Sequence, residues 1–408
     1  MSITQGASFR TAILKLTAFC NLNCDYCYMF NLRDQSFIGM PNQMPVDVAL
    51  ALADRLGTYT SALGVPAFDV VLHGGEPTLW PESSFDRFLT RLRQVEANGS
   101  CQFDVALQTN AYRPLPQTLL RLFRKHRVSL GVSVDGPADR HDRHRRTHDD
   151  RGSYARVMAN VQQILKDGYG DIVRGFLTVI DPGQDPGDYL EWVARLPLPK
   201  VDVLWPMQFT WDFPPWESND IFAYAEEAPY GRWLASLFDL WLKRDDPRIV
   251  IRHFTDVVSF YLGAKTHTDT IVNDSVSMFV VEPTGGFSLP DYLRVGGDGV
   301  ARTPYLVQSD TIESLHAIDD FRTLFDLSVL MPRECSSCAF RDVCGGGFIP
   351  GRARRAGGPI LDPRPSVLCP DQYHFFRSAL HRLTEADFPE KPPWIGPKVE
   401  KCQTSTES

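Results

Sequence analysis

The sequence predicts an α/β protein in which a partial (β/α)6 barrel is followed by a smaller cysteine-rich domain. From about residue 11 to residue 225, short apolar strand patterns alternate with amphipathic helical patterns. Such alternation is typical of parallel strands joined by right-handed crossovers. From about residue 276 the chain becomes rich in glycine and cysteine. Six strand–helix units favour a partial barrel, although periodicity alone leaves an open doubly wound sheet possible.

The individual elements follow from the spacing of apolar residues. The predicted strands are Ala12–Leu16, Phe68–Leu72, Phe103–Gln108, Ser129–Val134, Gly175–Ile180 and Val201–Pro206. Pro45 opens one predicted helix, Ser153 is the predicted N-cap of another, and Tyr230–Lys243 is a third. In a barrel or a doubly wound sheet, functional residues lie at the carboxyl ends of the strands.

The same patterns predict the domain organisation. We expect the barrel over residues 1–225, a helical bridging segment over 226–275, the cysteine-rich domain over 276–390 and a disordered tail over 391–408. Trp205, Trp211 and Trp216, in a proline-rich stretch after the barrel, are expected in core packing or in contacts with a substrate.

Composition narrows the class of protein. The chain has 408 residues and a net charge of -8, which argues against a nucleic-acid-binding surface. We find no apolar stretch near the ~18 residues that span a bilayer and no signal-peptide pattern at the start, so we expect a cytoplasmic protein that does not bind membranes. In that compartment nine cysteines indicate metal binding or catalysis rather than disulfides.

Three of these cysteines form a CxxxCxxC motif directly after the first predicted strand. They are Cys20, Cys24 and Cys27, with the aromatic Tyr26 before the last. Thiolates are soft ligands suited to zinc, copper(I) or iron–sulfur clusters. Structural zinc and cubane clusters each take four ligands. Three cysteines with no fourth nearby would therefore leave one coordination position of a cluster open to an outside ligand. The alternative is a zinc knuckle.

Polar motifs follow the next predicted strands. The sequence His73-Gly74-Gly75-Glu76-Pro77-Thr78 comes after the second strand. Its glycines allow backbone to approach a ligand closely, and its acidic residue suits an ammonium group; the alternative is a tight turn. Asn110 ends the third strand and Ser133 and Asp135 end the fourth. Ribose and carboxylate groups require such side chains, although ordinary capping also explains them.

Together these motifs resemble those of the radical S-adenosylmethionine (SAM) enzymes. The resemblance implies a [4Fe–4S] cluster on Cys20, Cys24 and Cys27, whose open iron binds SAM. It also implies that Arg145, within a basic run, pairs with the SAM carboxylate, for which the guanidinium fork is suited. The full set of expected SAM contacts is Tyr26, Gly74, Gly75, Glu76, Pro77, Asn110, Ser133, Asp135, Arg145 and Val179.

Four more cysteines, Cys335, Cys338, Cys344 and Cys369, lie near the C-terminus, and three glycines follow Cys344. Alone they could bind zinc. Behind radical SAM motifs they resemble a SPASM domain, which carries auxiliary [4Fe–4S] clusters. A full SPASM domain binds two, but Phe348 and Pro290 stand where further cysteines would be needed. We therefore expect one auxiliary cluster, and Cys101 and Cys402 as bystanders.

The position of Asp291 matches the general base of formylglycine-forming relatives, and a turn aspartate is the alternative. Longer stretches, among them Trp211–Pro215 and the CGGGF sequence with the later PSVLC, resemble the FxsB-like peptide maturases, which are similar to three-residue cyclophane-forming enzymes. That resemblance implies a ribosomally made precursor peptide as substrate and a flavodoxin- or ferredoxin-type electron donor. It implies hydrogen abstraction from a side-chain Cβ and attack of that carbon on an aromatic ring. The alternatives are oxidation of Ser or Cys to formylglycine and a non-catalytic electron-transfer protein.

Overall fold

One sheet forms the framework of the molecule. The computed structural model describes residues 8–217, 220–264, 271, 276–355 and 357–395. The strands are β1 (Thr11–Lys15), β2 (Ala67–His73), β3 (Gln102–Thr109), β4 (Val128–Ser133), β5 (Val173–Val179), β6 (Lys200–Leu204), β7 (Val250–Ile251), β8 (Met278–Val281), β9 (Gly286–Ser288) and β10 (Arg302–Leu306). The helices are α1 (Val46–Leu63), α2 (Glu82–Asn98), α3 (Gln117–Lys125), α4 (Ala138–His144), α5 (Tyr154–Lys166), α6 (Pro186–Arg195), α7 (Ile221–Glu227), α8 (Pro229–Arg244), α9 (Arg252–Tyr261), α10 (Asp319–Phe325), α11 (Leu327–Leu330), α12 (Arg341–Cys344) and α13 (Cys369–Thr384).

Strands β1 to β6 are parallel and neighbour one another in chain order. A doubly wound sheet reverses its strand order at a switch point, whereas β1 to β6 run in one direction around the sheet. The predicted partial barrel is therefore confirmed. All six predicted strands are present, and no boundary differs from its prediction by more than two residues.

The two faces of the sheet have different roles. Alternate residues of β2, such as Val70 and Leu72, are buried against the outer helices. The intervening residues, including His73, face the other side. The apolar residues of β1 alternate in the same way, and Lys15 at its end pairs in register with His73. The inner face thus carries polar side chains at the carboxyl ends of the strands.

The cysteine-rich region continues the barrel sheet instead of forming a separate one. Strand β8 pairs in parallel with β1, and β9 and β10 add antiparallel strands beyond it. Helix α13 packs on α8 at Gly231, where a Cβ would lie 2.1 Å from the Asp371 carbonyl oxygen. None of the described helices is long and apolar enough to cross a bilayer.

One predicted cap differs in its chemistry. Ser153 does precede α5, but its hydroxyl donates to the carbonyl oxygen of Arg145 (2.6 Å) and makes no capping bond. Oδ1 of Asp142 instead accepts from the backbone N–H groups of Ser153 (2.7 Å) and Tyr154 (2.8 Å). The carboxylate of Asp142 on α4 therefore caps the N-terminus of α5 in place of the Ser153 hydroxyl. Of the predicted tail over residues 391–408, the structure describes residues 391–395. The rest of the tail, which includes Cys402, lies outside the described residues.

Candidate active site

The three-cysteine loop connects β1 to α1 and lies at the carboxyl end of the sheet. Within it, the N–H of Cys27 donates to the carbonyl of Cys24 (3.0 Å), which forms a tight turn. The N–H of Asn23 donates to the carbonyl of Arg146 (2.7 Å), just after α4. The loop is thus held against the segment that carries the predicted basic run.

The two glycines after β2 lie directly against this loop. The N–H of Gly75 donates to the Thr17 carbonyl (2.9 Å), and that of Glu76 donates to the Phe19 carbonyl (3.0 Å). A Cβ on Gly75 would lie 2.2 Å from the carbonyl oxygen of Phe19. Gly74 has φ +131°, and a Cβ there would lie 2.6 Å from the Thr17 oxygen. Only glycine permits this approach.

Glu76 is buried and joins the ends of β2 and β3. Its Oε1 accepts from the Thr78 N–H (3.0 Å), the Thr78 hydroxyl (2.6 Å) and the Thr109 hydroxyl (2.7 Å), and its Oε2 accepts from the Asn110 N–H (2.8 Å). Burial raises the pKa of Glu76 while these hydrogen bonds oppose the rise. Oε2 keeps acceptor capacity for the ammonium group predicted from the sequence. Pro77 begins the following 3₁₀ turn.

Donors surround the first cysteine. Nδ2 of Asn110 lies 3.5 Å from Sγ of Cys20 and donates to Oδ1 of Asn21 (2.8 Å). The N–H of Leu22 lies 3.4 Å from the same sulfur. N–H groups directed at sulfur favour the thiolate, which is the form that ligates metal. The donor set therefore fits a thiolate-bound cluster.

A second group of predicted residues flanks the loop at Tyr26. The Tyr26 hydroxyl donates to Oδ2 of Asp135 and accepts from Nη1 of Arg145 (2.8 Å). Oδ1 of Asp135 accepts from the N–H of Val179 (3.2 Å). Nε of Arg145 is buried and has no hydrogen-bond partner among the described residues. A buried guanidinium with a donor to spare fits a carboxylate ligand such as that of SAM.

This second group opens onto a cleft of about 570 Å³ at the carboxyl ends of β4 to β6. Its walls include Tyr26, Leu32, Asp135, Arg143, His144, Val179, Pro206 and Tyr230. The hydroxyl of Ser133 accepts from Nε2 of Gln108 (2.8 Å), one strand away. The SAM contacts predicted from the sequence therefore fall into two groups. The residues Gly74 to Pro77 and Asn110 lie on the Cys20 side of the loop, and Asp135, Arg145 and Val179 lie on the Tyr26 side.

Asp291 lies on a third side of the loop, after β9, and is buried. Its Oδ2 accepts from Nζ of Lys15 and from the Tyr28 hydroxyl (2.6 Å). Burial alone would raise the pKa of Asp291, but the charge of Lys15 and the hydrogen bonds outweigh it, and the pKa lies below its usual range. Lys15 belongs to none of the sequence motifs, although a lone charge in an apolar strand is a signal that could identify it.

The C-terminal cysteines also come together. Cys335, Cys338, Cys344 and Cys369 all line one small cavity between α12 and α13. Among the described residues, no three His, Cys, Asp or Glu side chains converge as they would on a single metal ion. Nε1 of Trp394 lies 3.3 Å from Sγ of Cys369, as a donor to that sulfur. Four thiols at one cavity are the donor set that the expected auxiliary cluster requires.

Comparisons with known proteins agree with this arrangement. The radical SAM superfamily model matches residues 14–196. The chain is 24% identical over 395 residues to a serine-type anaerobic sulfatase-maturating enzyme of Bacteroides thetaiotaomicron, covering 92% of this chain and 89% of that enzyme.

Two solved structures share the fold. Native anSMEcpe with bound AdoMet and Cp18Cys peptide matches with a TM-score of 0.74 and 20% identity, covering 92% of this chain and 98% of the other. Streptococcus suis SuiB bound to the precursor peptide SuiA matches with a TM-score of 0.55 and 14% identity, covering 89% and 76%. With these matches and this site geometry, residues 14–196 match the radical SAM superfamily, the chain shares the fold of the solved maturases, and its cysteine-rich C-terminal region fits a SPASM-like domain.

Proposed function

We propose that this enzyme modifies a ribosomally synthesised precursor peptide by forming a C–C cross-link, a cyclophane, between an aromatic ring carbon and a nearby side-chain Cβ. The resemblance to FxsB-like maturases supports the reaction type. A peptide substrate is further supported by anSMEcpe and SuiB, whose structures contain peptides. We place the reaction in the cytoplasm, with a flavodoxin- or ferredoxin-type protein as the external electron donor.

The observation that carries the cross-linking proposal concerns the two positions where cysteines are missing. Phe348 is buried, and its N–H donates to Oε1 of Gln372 (2.9 Å). Pro290 is buried immediately before Asp291. The only described cysteine outside the two sets is Cys101, which is packed in the core at the start of β3. Among the described residues, no cysteine stands at either of the two positions that the substrate-proximal auxiliary cluster would need, and formylglycine formation is expected to use that cluster.

The residues of the chain have distinct proposed tasks. We assign the first cluster to Cys20, Cys24 and Cys27, SAM to the ten contacts predicted above, and one auxiliary cluster to the four C-terminal cysteines. When bound, the first cluster and SAM would supply a 5′-deoxyadenosyl radical that removes a hydrogen atom from the peptide. After the carbon radical has added to the aromatic ring, Asp291 is the candidate base for the proton that the ring loses, because it is a carboxylate buried beside the cluster loop. The auxiliary cluster would accept the electron that is lost with this proton.

Formylglycine formation remains the second candidate. It is favoured by the similarity to a sulfatase-maturating enzyme along most of both chains and by the position of Asp291. The two reactions differ in the group that they create. A serine converted to formylglycine and a cross-linked peptide both lose two hydrogens, but only formylglycine contains an aldehyde.

Mass spectrometry of a treated peptide separates the candidates. The reconstituted enzyme, SAM and a reductant are incubated with a precursor peptide encoded near the gene, and the product is split between fragmentation and labelling with a hydrazide. We expect a loss of two hydrogens, no fragment ions between the linked residues and no hydrazide adduct. A hydrazide adduct with complete fragmentation would instead establish formylglycine. The Cys24→Ala variant is the control for enzyme-dependent modification.

A further inference from the structure

Lys15 is a buried charge to which the proposed reaction has so far given no role. Its side chain is fully buried at the end of β1. Besides its ion pair with Asp291, Nζ lies 2.8 Å from Nδ1 of His73, 3.3 Å from the Tyr28 hydroxyl and 3.6 Å from Sδ of Met29. These partners come from three different parts of the chain. Lys15 is thus the point at which β2, the cysteine loop and the turn after β9 meet.

The other charges near Lys15 are also arranged in pairs. Glu282 follows β8, the other neighbour of β1 in the sheet, and forms an ion pair with Arg294. Arg294 also pairs with Asp34 (3.1 Å). Burial lowers the pKa of Lys15 and the charge of Arg294 adds to this, while the charges of Asp291 and Glu282 and the hydrogen bond to Asp291 oppose it. Arg294 is thus shared between Glu282 and Asp34, whereas Asp291 is the carboxylate in direct contact with Lys15.

A buried ion pair is usually no more stable than apolar residues of the same size. Its presence beside the candidate base therefore calls for another explanation. An ammonium group has three donors and accepts no hydrogen bonds. Three oxygen and nitrogen acceptors lie around Nζ, one each on Asp291, His73 and Tyr28. As a donor to Nδ1, Lys15 selects the His73 tautomer that carries its proton on Nε2.

We propose that Lys15 is a positioning residue that holds Asp291 as a carboxylate and His73 as a neutral ring with the proton on Nε2. Asp291 is then kept as an acceptor and His73 as a donor on the inner face of the barrel. There the donor is available to a carbonyl oxygen of the substrate peptide. The substrate part of this inference rests on the proposed function, whereas the states of the two side chains do not.

The pKa of His73 agrees with this assignment. Burial, followed by the charge of Lys15, lowers the pKa of His73 to about 3. The ring is therefore neutral at physiological pH. Without the ammonium group, Asp291 would be the nearest charge to the ring and would favour its protonated form.

NMR of histidine-labelled protein without cofactors tests the inference directly. We expect the ring of His73, identified by its absence in His73→Asn, to be neutral above about pH 4, with the Nε2–H tautomer. In Lys15→Met, which keeps the length of the side chain, we expect the pKa of His73 to rise by at least one unit. An Nδ1–H tautomer in the native chain, or an unchanged pKa in Lys15→Met, would overturn the proposal.

Two further arms cover misfolding and function. If Lys15→Met does not fold, the double variant Lys15→Met/Asp291→Asn removes both charges. In the double variant we expect the pKa of His73 to stay low and the preference for the Nε2–H tautomer to be lost. A retained preference for Nε2–H would contradict the role of Lys15. In the full enzyme we expect the ratio of modified peptide to 5′-deoxyadenosine to fall about ten- to a hundredfold in Lys15→Met.

The two measurements test different statements. If the native enzyme yields no modified peptide, the proposed function is rejected, while the NMR result still decides the role of Lys15.

Discussion

At the scale of single residues, two adjacent arginines have different surroundings. Arg145 is buried, bonds the Tyr26 hydroxyl and keeps Nε unpartnered among the described residues. The side chain of Arg146 is 42% exposed and pairs with Asp150 (2.7 Å). This contrast favours Arg145 over Arg146 as the proposed partner of the SAM carboxylate, a distinction that the basic run in the sequence does not make.

This contrast predicts how SAM affinity responds to mutation. Arg145→Lys keeps the charge but loses the planar fork, so we expect the Kd for SAM to rise about tenfold, or about 1.4 kcal/mol. Arg146→Lys is the matched control and should change it less than about twofold. Calorimetric titration of the cluster-loaded protein measures both. Equal effects of the two substitutions would contradict the assignment of Arg145.

His141 gives a pH dependence to the stability of the fold. It is buried, its Nδ1 accepts from the Asp135 N–H (3.3 Å) and its Nε2 contacts the Ser153 hydroxyl (2.8 Å). Burial, followed by the charge of Arg145, lowers the pKa of His141 to about 3. Below its unfolded pKa of about 6.5, the unfolded chain binds a proton that the folded chain does not bind.

Stability that comes from neutral His141 is therefore complete above about pH 6.5 and is lost as the pH falls towards 3. The shift corresponds to an upper limit on the order of 5 kcal/mol. We expect urea denaturation of the protein to show this decline, and His141→Gln to be less stable at pH 7 but to have a shallower slope between pH 6.5 and 4. An unchanged slope in the variant would mean that other groups cause the acid sensitivity.

At the scale of elements, the contact between α8 and α13 depends on one glycine. Gly231 lies where α8 meets the backbone of Asp371, whose Oδ1 accepts from the N–H groups of Tyr230 (2.9 Å) and Gly231 (3.1 Å). A Cβ at this position would overlap backbone atoms that cannot move aside as a side chain can.

Gly231→Ala should therefore destabilise the protein by about 2 kcal/mol, because overpacking costs more than the gain in helix propensity of about 1 kcal/mol. Gly358→Ala is the control, since a Cβ there would have no neighbour within 4 Å and the φ of Gly358 is not positive. Chemical denaturation compares the two variants. If Gly231→Ala instead raised the free energy of unfolding, α8 and α13 would be able to move apart without a loss of stability.

The elements also show what could be predicted from the sequence. The six barrel strands were predictable because each is an apolar run whose signal is local. The pairing of β8 with β1 joins residues more than 260 positions apart, and local periodicity does not contain it. For the same reason Asp291 could be chosen by resemblance, but its contact with Lys15 could not. The role of Asp142 as the cap of α5 was hidden because the donating and accepting residues lie on different helices.

At the scale of the whole molecule, the proposed reaction requires two cluster sites that are independent of one another. The first is a loop bound to the ends of β2 to β4, and the second is a cavity between α12 and α13. We expect about eight irons per chain after reconstitution. Cys24→Ala and Cys338→Ala should each retain about half of that iron, and only Cys24→Ala should abolish cleavage of SAM. A loss of zinc, not iron, from Cys338→Ala would identify the second site as a zinc site.

The central claim is that a radical formed at the first site acts on a peptide side chain. The most direct measurement uses a precursor peptide that is deuterated at the Cβ positions of its core residues, followed by mass spectrometry of the 5′-deoxyadenosine released. We expect deuterium in the deoxyadenosine and a peptide that has lost one deuterium and one further hydrogen. Unlabelled deoxyadenosine beside a modified peptide would contradict hydrogen abstraction from Cβ, and with it the proposed cross-link.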